Sequence, residues 1–207
     1  MKNSILTIGL FLVTTFAFAQ TQFEQGMGKA LQLWKEGKNN EATALFERIA
    51  GAEKNSWLPN YYIGLINATA AFQTKEKTEL GALLAKANQA IDTELAKTPN
   101  NPELLVIQAM ASTALLASDP MTYGMTLPAK ITGIYIKAGM FAPENPRVVF
   151  CKAEFEIGGA KWTGADVKAL CGQVEKSITL FKNFKPETPF SPSWGMDRAE
   201  QALKNCK

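Results

Sequence analysis

Apolar residues recur at helical spacing in block after block along this chain, and turn-forming residues separate the blocks. Phe23, Met27, Ala30, Leu31 and Trp34 fall on one helical face, and Ala42, Leu45, Phe46 and Ile49 do the same downstream. Between them Gly37 sits where the chain must reverse, and Asn39 or Asn40 is placed to cap the second helix. Two helices joined by so few residues must pack antiparallel. A third helix is predicted with Pro59 in its first turn and an end near Phe72. Its Tyr62, Ile63, Leu65, Ile66 and Ala70 spread over more than one side, as in a helix sandwiched between neighbours. The polar run Gln73 to Glu79 separates it from a helix over Leu80 to Lys97, whose Leu80, Leu84, Ala87, Ile91 and Leu95 share a face.

Two junctions then repeat. Pro99-Asn100-Asn101-Pro102 recurs as Pro143-Glu144-Asn145-Pro146, 44 residues later, and Pro186 follows Pro143 by 43. The first proline ends one helix, asparagine caps the next, and the second proline occupies its first turn. Ile91, Tyr135 and Ile178 each stand eight residues before one of these prolines, so the two spacings together indicate an internal repeat. The pattern predicts a pair over Pro102 to Ala117 and Leu127 to Phe141. Leu104, Leu105, Ile107, Ala111 and Leu115 are apolar in the first, and Ile131, Ile134, Tyr135 and Ala138 in the second. The next pair is predicted over Pro146 to Ile157, stopped by Gly158-Gly159, and Ala165 to Phe184, with Thr163 and Asp166 as a capping box. After Pro186, Pro189 and Pro192, a helix over Ser193 to Cys206 is placed to cap the array, with Trp194, Ala199, Ala202 and Leu203 facing inward.

Ala30, Gly37, Ala42 and Phe46 have the spacing of the small residue, turn glycine, alanine and aromatic of a tetratricopeptide repeat, and the first pair resembles that family. Tyr135, Ala138 and Pro143 resemble its second-helix aromatic, small residue and terminal proline. The family unit is about 34 residues, so the longer period marks a divergent array with its excess between the paired helices. The resemblance implies an all-α fold, a solenoid of helical hairpins closed by a C-terminal capping helix, in a single domain over 20–207.

Composition narrows the function. The chain has 207 residues, 46% of them hydrophobic and 20% charged, enough for a sizeable core. Lys2, the apolar run Ile5 to Phe18 and Ala17-Phe18-Ala19 read as a secretory signal peptide over 1–19, cut before Gln20. No later stretch approaches a membrane span, so the expected product is periplasmic or secreted with no span after signal removal. Removing the signal leaves 21 basic and 19 acidic residues, too even a balance for nucleic acid to be the default partner. There is no histidine, which excludes His-based acid/base catalysis, His-activated nucleophiles and the commonest metal ligand. No glycine-rich phosphate loop is present, and Glu154 and Glu156 point to opposite sides of their helix. The expectation is a protein that is not an enzyme and has no cofactor and no metal site.

Three cysteines in an oxidising compartment invite one disulfide. Cys171 with Cys206 and Cys151 with Cys171 are both level by residue count, and three reduced, buried thiols are the alternative. Two surfaces are candidates for binding. Met121, Tyr123, Met125 and Trp162 lie in connections that emerge from one edge of the array, as a partner-binding rim or as side chains folded back over helix ends. Asn67, Gln108 and Lys152 lie at comparable places on successive first helices, where polar side chains could hold an extended peptide. The family's basic peptide-clamp residues are not reproduced. The favoured expectation is therefore a scaffold for an envelope protein or peptide. The alternative is a carrier of a small apolar ligand, in a helical cavity lined by residues such as Tyr62, Tyr135 and Phe150. Oligomeric state is not legible.

Overall fold

A computed structural model of the chain describes residues 22–206. The expected signal peptide and its cleavage point lie outside them. Among the described residues every regular element is a helix. We number them α1 (22–35), α2 (Asn39–Ala52), α3 (Leu58–Ala71), α4 (Lys77–Leu95), α5 (Pro102–Ser118), α6 (Pro120–Tyr123), α7 (Leu127–Phe141), α8 (Pro146–Thr163), α9 (Val167–Asn183) and α10 (Met196–Asn205). The described residues divide into two compact units, 22–62 and 63–206, with the division inside α3.

In the first unit Gly37 takes φ 77°, a left-handed conformation that side chains resist. Its N–H donates to Trp34 O and that of Lys38 to Leu33 O, each at 2.9 Å. So tight a closure leaves Lys38 in the N-cap position and puts Asn39 already inside α2; neither asparagine caps, contrary to expectation. Met27, Ala30, Ala42 and Phe46 are fully buried, and Tyr62 stacks on Phe46 with ring centroids 5.2 Å apart.

In the second unit α5 packs against α4, α7 and α8, and α9 against α8 and α10. Gly64 lets α3 pack closely on its neighbours: a Cβ there would lie 2.6 Å from Ile91 Cδ1 and 3.2 Å from Ile107 Cγ2. Both Pro-x-Asn-Pro junctions act as the sequence indicates. Asn101 Oδ1 accepts from the N–H groups of Glu103 and Leu104, and Asn145 Oδ1 from those of Arg147 and Val148.

Three local expectations are corrected. Helix α8 runs through Gly158-Gly159 to Thr163 and ends at Gly164, φ 70°, whose N–H donates to Ala160 O at 2.9 Å. Glycine weakens a helix by only about 1 kcal/mol each, and burial of Ala160 continues the packed face beyond the pair. Thr163 belongs to α8, so no capping box forms; Asp166 Oδ1 alone caps α9, accepting from Lys168 N and Ala169 N. The expected loop after Ser118 contains the one-turn α6, capped by Asp119, whose carboxylate accepts from Thr122 N and Thr122 Oγ1.

Candidate functional site

Cross-contacts fix the direction of the helices in the second unit. Arg147 joins Glu103, so the first turns of α5 and α8 lie together. Further along, Tyr135 meets both Thr113 of α5 and Phe155 of α8, so these helices of 17 and 18 residues run in the same direction and end on the same side. Lys137 Nζ donates to Pro99 O at 2.7 Å, so the later half of α7 has returned to the start of α5. Arg147 lies over the Phe184 ring at 4.5 Å, so α9 ends beside the start of α8. Lys77, at the start of α4, helps hold the Asp119 carboxyl below its ordinary range, after the larger effects of the Thr122 hydroxyl and N–H. The connections 72–77, 118–127 and 163–167 therefore share one end of the unit.

That end carries the rim residues expected from sequence. Met121 and Met125 are each 93% exposed and Trp162 77%, while Tyr123 is half-buried. Phe72 and Val167, which the sequence reading did not single out, are exposed in the same place. The side chains stand out from their helix ends.

A second apolar surface escaped the sequence reading. Outside α7, Ala129, Gly133, Ile136 and Met140 follow one another at helical spacing and are all exposed, Met140 at 75%; Phe141 extends the strip. The opposite side of the same helix buries Ile131, Tyr135 and Ala138. Apolar residues on both sides of α7 were the available signal. A Cβ at Gly133 would meet nothing within 4 Å, so the strip is flat and open at its middle. Lys130 is exposed beside it.

The polar row on the first helices is less available. Asn67 is buried and its Nδ2 donates to Ile63 O at 2.8 Å. Lys152 Nζ pairs with Glu156 Oε1 at 2.5 Å, within its own helix. Gln108 is half-buried, at the register of Lys152 on the neighbouring helix.

Tyr135 and Phe150 are buried in the core of the second unit and Tyr62 in the first. Tyr135 packs on Phe155 at 5.9 Å and Phe150 on Phe181 at 6.5 Å. Beside them Arg198 Nη2 lies 2.5 Å from Glu154 Oε2, its guanidinium 5.6 Å from both the Phe150 and Trp194 ring centroids. Burial pushes the Cys151 thiol up to about 12, opposed by the Arg198 charge, so the thiol stays protonated and inert. Cys171 and Cys206 are bonded, Cα atoms 5.9 Å apart, which settles the pairing left open by the sequence. Among the described residues no group of His, Cys, Asp and Glu could hold a metal ion, and no helix is long and apolar enough to cross a membrane.

No family model and no curated protein matches the chain. Its structure is similar to that of the HusA haemophore from Porphyromonas gingivalis, with a TM-score of 0.80 and 22% identity, covering 89% of this chain and 92% of that one. At that identity the likeness shows a shared helical fold over nearly the whole length of both.

Proposed function

We propose that the protein is an exported, non-enzymatic carrier of a flat apolar ligand of the haem class, built as a divergent tetratricopeptide-like array of helical hairpins. The observation that carries this reading is the fold shared with the HusA haemophore over 89% of the chain. The exposed strip on α7 supports it. Ala129, Gly133, Ile136 and Met140 offer a smooth apolar bed to one face of a macrocycle, and Lys130 is placed to meet a carboxylate at its edge. The chain has no histidine, two cysteines are bonded and the third is buried. Met140 is therefore the sulfur donor that this strip offers to a haem iron, a soft ligand that suits the reduced metal.

The carrier reading stands ahead of a peptide scaffold because Asn67 and Lys152 of the polar row are engaged within their own helices. Haem added to the exported chain should remain with it through gel filtration at about one per chain. Elution of protein and haem apart would defeat the proposal.

A further inference from the structure

The connection end of the second unit has chemistry that a haem carrier does not require. Phe72, Met121, Met125, Trp162 and Val167 are exposed there, on three separate connections. Patches of this kind mark interaction sites. We infer that this end docks on the surface of an anionic lipid bilayer.

Three observations favour a bilayer over a folded partner. First, the apolar side chains are protruding tips, with Met121 and Met125 at 93% exposure, a shape that enters a soft acyl boundary and needs no matching pocket. Second, Lys161 Nζ lies 4.9 Å from the Trp162 ring centroid, pairing a cation with the aromatic that settles at headgroup depth. Third, the charges around the tips are arranged for anionic headgroups. Lys75, Lys77, Lys130, Lys161 and Lys168 are all exposed at this end. Against them stand Glu76, Glu79, Asp119 and Asp166. Asp119 and Asp166 accept from the first-turn N–H groups of α6 and α9, and Glu79 accepts from the Thr74 hydroxyl. Each acid keeps its charge, so five lysines against four acids leave this end with an excess of one positive charge toward anionic headgroups. Docking is peripheral, since no described helix can cross a membrane. From Gly133 to Met140 the α7 strip runs away from this end along the side of the unit, so a docked carrier keeps that part accessible.

The test is co-sedimentation of the exported chain with vesicles of equal phosphatidylglycerol and phosphatidylcholine, compared with phosphatidylcholine alone, at low salt. The chain should bind the anionic vesicles and be released as salt rises. The triple variant Met121→Ser, Met125→Ser, Trp162→Ser should bind about tenfold more weakly with unchanged helicity and haem binding. Brominated lipid should quench tryptophan emission in the parent and not in Trp162→Phe, which keeps the test decisive if the triple variant folds poorly. Failure of the parent to bind anionic vesicles, or equal binding by the triple variant, would overturn the inference. So would loss of an envelope protein partner from the triple variant with no vesicle binding by the parent. None of these outcomes bears on haem retention, which is tested separately.

Discussion

Glu103 and Arg147, each following a helix-opening proline and 44 residues apart, are joined side chain to side chain between α5 and α8. Arg147 Nη2 lies 2.7 Å from Glu103 Oε1 and Nε 2.8 Å from Oε2, while Asn145 Nδ2 donates to the same carboxylate at 2.6 Å. Glu154 and Arg198 pair over the same separation. In both pairs the acid stands 44 residues before its base. Arg147 is fully buried, so removing one member strands a charge. Arg147→Met or Glu103→Leu should each cost about 3–5 kcal/mol in urea unfolding. The double variant should recover much of that loss; additive losses would show that the pair is not coupled.

Gly64→Ala places a methyl 2.6 Å from Ile91 Cδ1 and 2.7 Å from Cγ1. Overpacking there should destabilise by about 1–3 kcal/mol, and adding Ile91→Val should recover part of it. A neutral Gly64→Ala would show that α3 and α4 separate at little cost.

The bond between Cys171 and Cys206 closes a separation of 35 residues and ties α10 to α9. Cys171→Ser with Cys206→Ser should lower stability by about 3–4 kcal/mol, seen as an earlier thermal midpoint that reductant no longer moves.

Cys151 gives a pH dependence whose sign follows from burial. Its folded value is raised from an ordinary 9.0 to about 12, so the unfolded chain releases this proton first. The contribution is complete below pH 9 and is lost as pH rises towards 12. Cys151→Ala should flatten the alkaline fall in stability. In the folded parent, thiol reagents at pH 8 should label nothing until denaturant is added.

Much of the helical plan was legible because its signals are local. The Pro-x-Asn-Pro junctions declare both the end of one helix and the cap of the next, and Leu127–Phe141 is bounded as its apolar pattern indicates. What escaped depended on partners distant in sequence. Gly158-Gly159 reads as a stop until the burial of Ala160 is known, and Glu103 reads as an ordinary first-turn acid until Arg147 is placed against it. Helix α7 has a visible inner face in Ile131, Tyr135 and Ala138; its outer apolar strip gains meaning only from its exposure among the described residues. The rim at Met121, Met125 and Trp162 was visible as apolar residues in turns, but its common end followed from the helix directions.

The most direct test of the carrier account is a haem titration of the exported chain and of Ile136→Asp with Met140→Asp, followed by visible absorbance. Both residues are exposed, so the variant should keep its fold. The account predicts a saturable spectral shift at about one haem per chain in the parent, weakened by about tenfold or more in the variant. No saturable shift in the parent would contradict the haem carrier, and equal affinities would contradict the α7 strip as its binding face.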